Sequence, residues 1–367
     1  MYNKNMKKNE NTKINALQAI RALAFLGIFS YHCSLTGLGS WGVSVFFMLS
    51  GFVLVYSYYE RSPLLSLKPS SALRFSFHKL ARLYPLYLIM LVLSIRYEQL
   101  LTCNRYELIR FGLKFLANIT MMQSWVPLSD FYYSFNTLSW YLSDMLFLYL
   151  IFPLILHLLH RYQHGRSSIL AILGIFSIQT FFAFYTRNMS SLPTSAYPFN
   201  HWVTYVFPLF RAGDFIIGCN LGYLFLKYKN ISFGKFSTAA EGLALLQIPA
   251  FILFEKVYIA HMGTQWWSET LIMIPFSAFL IYIFACSNGR ISAFLGSCRP
   301  LLILADLSPY AYLIHFIAFR EIFHHISGVT SRIPALCITV TIVFAISLFG
   351  AVMYKHFIYR FLHFSPK

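Results

Sequence analysis

The chain has 367 residues, 58% of them hydrophobic and only 11% charged, with a mean hydropathy of +0.60, well beyond the roughly 45–50% apolar content of soluble domains. That much apolar surface excludes a soluble fold and makes the bilayer the solvent. A formal net charge of +17 would suggest nucleic acid in a soluble protein, but here no nucleic-acid partner is expected, because Lys and Arg cluster in alternate connections between apolar runs.

Apolar runs long enough to cross a hydrocarbon core of about 30 Å are predicted near 14–35, 41–58, 83–103, 137–159, 167–186, 203–226, 237–258, 268–286, 300–324 and 333–354. The expected fold is an all-α polytopic membrane protein, a bundle of about ten transmembrane helices. Most of the 29 basic residues fall in the even-numbered connections and the two tails, so the positive-inside rule puts both termini in the cytoplasm. The layout is then a cytoplasmic tail over 1–13, a membrane domain over 14–355 and a second cytoplasmic tail over 356–367. The first run follows a basic tail but lacks a small-residue cleavage site, so it is expected to stay in the protein. The longest connection, 104–136, places Tyr106, Ile109, Leu113, Leu116 and Ile119 at helical spacing opposite Arg110 and Lys114. That pattern predicts an amphipathic helix on the outer face, serving as a surface anchor or as part of a lid. Cys33, Cys103, Cys219, Cys286, Cys298 and Cys337 are scattered without a CxxC pair, so no disulfide framework and no metal site is expected.

Charged groups within a span cost at least ~2.5–3.5 kcal/mol each near its centre, which makes each one a candidate for function. Arg21 and His32 are eleven residues apart on the first predicted helix. At ~100° per residue that separation comes within ~20° of three full turns, so both share one face, about 16 Å apart along the axis. One face then reaches both ends of a long anionic substrate, or else Arg21 snorkels and His32 is an unrelated buried imidazole. Lys79 and Arg82, at i and i+3 before the third span, read either as plain topology or as a cytoplasmic phosphate cradle. The fourth span opens on Ser139, Trp140, Ser143 and Asp144. In the sixth, Arg211 and Asp214 are one turn apart and poised to pair. The ninth carries Asp306, Ser308, Tyr310, Tyr312 and His315, which either line a polar passage or hydrogen-bond between helices.

Together these segments resemble acyltransferase family 3, the membrane O-acyltransferases of bacterial surface glycans such as O-antigens. The resemblance runs over about residues 14–355. It rests on Arg21-x10-His32, GVSVFFMLSGFVL at 42–54, HKLARLYPLY, the stretch from Trp140 to Pro153, the run from Arg211 to Gly218 and Ser308-x-Tyr310-x-Tyr312-Leu-Ile-His315. Two positions depart from the family pattern. Its Arg-x-x-Arg is here Lys79-x-x-Arg82, which keeps charge but weakens bidentate phosphate geometry. A Glu common five residues after the motif Trp is here Met145, with Asp144 one place earlier.

The resemblance implies an acyl-CoA donor, most simply acetyl-CoA, bound from the cytoplasm, with no permanently bound cofactor. The acceptor it implies is a hydroxyl of a lipopolysaccharide O-antigen or other surface polysaccharide, lipid-linked or assembled, at the bacterial inner membrane. In that reading Arg21, Lys79 and Arg82 hold donor phosphates. His32 is the general base, since an imidazole pKa near 6.5 suits proton removal near neutral pH. Asp144 orients the imidazole or binds acceptor, and Arg211 stabilises oxyanion charge. Ser139, Trp140, Asp214, Ser308, Tyr312 and His315 are candidate substrate contacts. Cys33 points about 100° away from His32 on a helix, which favours direct transfer over an acyl-enzyme. The main alternative from another class is a transporter or flippase of a lipid-linked sugar, for which an inverted repeat is missing from the sequence.

Overall fold

The structure, a computed structural model, describes residues 4–60, 68–98, 104–162, 164–189, 195–228, 233–286, 289–327 and 332–362. Cys103 and the outer parts of the two expected tails, 1–3 and 363–367, lie outside them. Among the described residues every regular element is helical. The principal helices are α1 (Lys4–His32), α2 (Gly39–Tyr58), α3 (Pro69–Leu80), α4 (Tyr84–Ser94), α5 (Arg105–Ile119), α6 (Trp140–Arg161) and α7 (Gly165–Thr186). They continue with α8 (Pro208–Lys227), α9 (Ser237–Leu245), α10 (Gln247–Phe254), α11 (Met273–Cys286), α12 (Arg290–Ser297), α13 (Arg299–Ser327) and α14 (Arg332–Leu362).

Seven helices among the described residues are long and apolar enough to cross a membrane, and up to nine if each of two bent pairs counts as one span. The protein is thus an all-α polytopic membrane protein. Two of the ten predicted runs take a different form. The third belongs to a broken pair, α3 with α4 and its short extension to Tyr97, bent by 64°. The eighth shortens to α11, followed by the short α12. The first run, α1, is not among the seven or the pairs; Asn15, Gln18, Arg21 and His32 dilute its apolar character.

The chain divides into two compact units. One comprises Met1–Ser71, Ile151–Arg187 and Leu209–Asp306, the other Ala72–Leu150, Asn188–Pro208 and Leu307–Lys367. In the first unit, glycines let helix backbones touch. A Cβ on Gly218 would lie 2.0 Å from the Met48 carbonyl oxygen, and one on Gly51 would lie 2.1 Å from that of Phe215. Gly218 and Gly222 form a Gly-x-x-x-Gly stripe on α8, the small-residue pattern by which membrane helices approach closely. Gly42 does the same for α2 against α1, its missing Cβ leaving room for the Ala24 carbonyl oxygen at 2.6 Å. At the start of α12 the fully buried Glu241 of α9 accepts from the backbone N–H groups of Gly289, Ile291 and Ser292 at 2.8, 3.1 and 3.0 Å. Three donors that a helix N-terminus leaves unpaired are satisfied by one carboxylate.

In the second unit the chain leading into α6 is held by neutral polar groups. Asn118 at the end of α5 donates from Nδ2 to Ser134 Oγ at 2.7 Å, while its carbonyl accepts from the Tyr87 hydroxyl at 2.6 Å. Gln123 donates to the Ser139 carbonyl at 3.1 Å, and Ser124 and Ser143 share a hydrogen bond of 2.6 Å. These bonds fix the segment 118–143 against α4, so the irregular backbone leading into α6 has internal partners, as burial requires.

Candidate active site

Four of the candidate residues belong to the first unit. Arg21 and His32 lie on one unbroken helix, so the spacing argued from sequence is helical throughout. Both side chains are half-buried. The Arg21 guanidinium carbon sits 5.9 Å from the centre of the Phe46 ring, and the His32 ring meets Tyr31 edge-on at 5.3 Å. His32 closes α1. The chain then turns through Ser34, whose φ of 56° is left-handed, with Ser30 Oγ and Thr36 Oγ1 bridging the turn at 2.5 Å.

Arg211 and Asp214 are both fully buried on α8 and pair at 3.2 Å, as their spacing predicts. The guanidinium lies over the Phe47 ring at 4.7 Å and donates from Nη2 to Ser44 Oγ at 3.4 Å. The adjacent rings Phe46 and Phe47 of the GVSVFFMLSG segment thus each receive an arginine, one from α1 and one from α8. Asp214 has a second partner, Gln179 of α7, whose Nε2 donates to Asp214 Oδ1 and to the Phe210 carbonyl, each at 2.9 Å. Gln179 lies against Gly213, where a Cβ would come within 2.3 Å of the amide carbon. The sequence reading passed over Gln179 and Ser44. A lone amide in the apolar run LAILGIFSIQTFF was the available signal, because a polar side chain in a span needs a partner.

The other eight belong to the second unit. Lys79 is half-buried at the end of α3, its Nζ 5.4 Å from the Phe75 ring, and Arg82 is exposed in the break before α4. Tyr354 pins that break, donating to the Arg82 carbonyl at 3.0 Å and accepting from the Leu86 N–H at 3.2 Å. The pair therefore sits at a fixed corner instead of along one helix, and the i, i+3 geometry of a continuous helix does not hold. Ser139, Trp140 and Asp144 are buried where α6 begins. Trp140 packs on Tyr205 at 5.1 Å, and Ser139 Oγ donates to Asn118 Oδ1 at 3.3 Å. Ser308, Tyr312 and His315 are buried along α13. The Tyr312 hydroxyl donates to the Leu138 carbonyl at 3.2 Å, its ring lies 5.5 Å from Tyr141, and it is within electrostatic reach of Asp144. His315 donates from Nδ1 to the Ala311 carbonyl of its own helix at 3.2 Å. Trp140, Asp144 and Tyr312 therefore share one neighbourhood, while Lys79 and Arg82 stand at the separate corner that Tyr354 fixes. Among the described residues no cluster of metal-ligating side chains occurs.

Buried charges on glycine-packed helices and half-buried Arg and His on one helix face define a polytopic membrane protein with ionisable groups built into its core. The family model for the acyltransferase domain, Acyl_transf_3, matches residues 14–352. The chain therefore belongs to acyltransferase family 3. It is 29% identical over 231 residues to the acyltransferase MdmB of Streptomyces mycarofaciens, covering 56% of each chain. It is 27% identical over 326 residues to the O-acetyltransferase OatA of Staphylococcus aureus (strain NCTC 8325 / PS 47), covering 82% of this chain and 49% of that one. The chain spans about half the length of the curated relatives it matches. No solved structure matches it.

Proposed function

We propose that this acyltransferase moves an acetyl group from acetyl-CoA, bound from the cytoplasm, to a hydroxyl of a bacterial surface polysaccharide such as an O-antigen, in the inner membrane. The observation that carries the reading is the unbroken helix α1, which presents Arg21 and His32 eleven residues apart on one face with both side chains half-buried. The ~16 Å between them suits a long donor, anionic at one end and reactive at the other. The relative named O-acetyltransferase supports an acetyl group and an oxygen acceptor for this chain.

In this mechanism Arg21 holds donor phosphate as a charge-assisted partner, and Lys79 and Arg82 are cations of the same chemistry on their own unit. His32 takes the proton from the acceptor hydroxyl as its oxygen attacks the thioester carbonyl. The tetrahedral intermediate collapses with cleavage of the carbon–sulfur bond, and the departing thiolate takes that proton back from the imidazolium. Arg211, held by Asp214, stabilises the oxyanion. Trp140, Asp144 and Tyr312, with Ser139, Ser308 and His315 around them, bind the acceptor. Cys33 follows the end of α1 and is fully buried, which favours direct transfer over an acyl-cysteine.

The test supplies radiolabelled acetyl-CoA to inverted and right-side-out vesicles of the same membranes. Label reaching polysaccharide only where the cytoplasmic face is accessible is expected. Movement of lipid-linked sugar without any labelled product would instead support a transporter.

A further inference from the structure

Helix α5 was expected to be amphipathic, and it is, but with its charges turned the opposite way from a membrane-surface helix. Surface helices of that kind bury an apolar face in the acyl chains and spread Lys and Arg toward anionic headgroups. Here Arg110 and Lys114 are turned into the protein, and only Arg105 in the first turn stays exposed. Arg110 donates from Nε and Nη2 to Asp130 Oδ2 at 2.9 and 2.7 Å. Lys114 Nζ meets Glu98 at 2.9 Å and Asp130 at 3.5 Å. Glu98 in turn accepts from the Phe135 backbone N–H at 2.7 Å. Burial works against the Arg110 charge, but the Asp130 carboxylate outweighs it and holds the guanidinium above its usual range.

The opposite face is left without protein cover. Tyr106, Leu108, Ile109, Leu113 and Leu116 are all at least half exposed. Gly112 stands among them with nothing within 4 Å of its missing Cβ. Tyr106, Ile109, Leu113 and Leu116 on one stripe, flanked by Leu108, form a patch that a water-facing surface would not carry without a partner. At 15 residues the helix is ~22 Å long, too short for a core of about 30 Å. Its position is nonetheless fixed at both ends. Asn104 caps its N-terminus through the Glu107 N–H at 2.8 Å, and Tyr84 and Tyr87 of α4 hydrogen-bond to the Ile119 and Asn118 carbonyls at 2.8 and 2.6 Å. On α4 itself Ile89, Val92 and Leu93 are exposed as well, which is the lipid-facing surface of a spanning segment.

We infer that α5 is seated in the bilayer interface by its Tyr106–Leu113–Leu116 stripe, with lipid acyl chains as its partner and with Arg110 and Lys114 withheld from anionic headgroups. The charge arrangement sets the distinction. A helix drawn down by Lys and Arg needs anionic lipid and lets go in salt, whereas one whose Arg110 and Lys114 are consumed by Glu98 and Asp130, leaving a single outward cation at Arg105, is held by its apolar stripe and does neither.

The experiment uses the full chain with Cys103, Cys298 and Cys337 replaced by Ser and a polarity-sensitive fluorophore attached at Leu113→Cys, reconstituted in phosphatidylcholine vesicles. Brominated phosphatidylcholine is expected to quench the label strongly and aqueous iodide weakly. Adding phosphatidylglycerol or raising salt tenfold is expected to leave the ratio unchanged. Ile109→Cys reports the same stripe should the first variant express poorly. Quenching by iodide alone, or by neither agent, would place the stripe in water or under protein and overturn the inference. Bromolipid quenching that appears only with phosphatidylglycerol, or vanishes in salt, would assign the seat to headgroup charge and overturn it equally.

Discussion

The two units handle polar groups between apolar helices in opposite ways. In the first the polar centre is charged, Arg211 with Asp214, fully buried and clamped by an aromatic ring, a hydroxyl and an amide. In the second, beside the buried Asp144, the groups that order the chain leading into α6 are neutral: Asn118, Gln123, Ser124, Ser139 and Ser143 bond one another and the backbone. A buried ion pair repays its desolvation only in close geometry, so it is weak evidence for stability and stronger evidence for a required charge. A satisfied neutral network costs little and orders irregular chain. The contrast teaches that the Arg211–Asp214 centre is built around a charge and the 118–143 segment around a backbone path.

The sharpest way to break this contrast is Arg211→Met, which strands a buried carboxylate and should cost about 3–5 kcal/mol in unfolding of the detergent-solubilised protein. Adding Asp214→Leu should recover most of that stability while transfer stays lost. A double variant that regains transfer would reduce the pair to a structural element. Next comes Gly218→Leu, which drives a side chain into the Met48 carbonyl and should cost about 1–3 kcal/mol. Gly174→Leu, on a site with nothing within 4 Å, is the matched control and should leave stability unchanged. Equal losses at the two sites would remove the close-packing argument.

In the second unit, Asn118→Leu removes an acceptor for Ser139 and a donor to Ser134 and should cost about 1–3 kcal/mol. Limited proteolysis should show new cleavage between 118 and 143; an unchanged digest would mean that the path holds without the network. The smallest effect is expected from Arg110→Ala. Its pair with Asp130 is about a quarter exposed on both sides, so the loss should stay within about 1 kcal/mol and shrink further in salt.

Much of this was legible in the sequence, for reasons tied to particular residues. Arg211 and Asp214 were readable as a pair because i, i+3 spacing on a helix leaves them little choice. Arg21 and His32 were readable as one face because no Pro lies between them, and α1 runs through Gly27 without a break that would reset the phase. The break before α4 was legible from Pro85 at its first turn, but the corner at Arg82 was hidden in so far as the bond that holds it comes from Tyr354, 272 positions away. Gln179 was hidden for a similar reason, its partner lying on another helix. For α5 the periodicity gave the two faces, but the side that turns outward depends on where Glu98 and Asp130 come to rest, and no local pattern contains that.

The central claim is that His32 drives acyl transfer. It is tested most directly by measuring acetyl-CoA-dependent acetylation of surface polysaccharide by membranes containing wild type or His32→Ala at matched expression, with mass spectrometry and O-acetyl NMR as readouts. The account predicts an acetyl ester with wild type, and a loss of at least about 100-fold in the variant, the contribution ordinary for a general base. Wild-type levels of acetylated glycan from His32→Ala would contradict it.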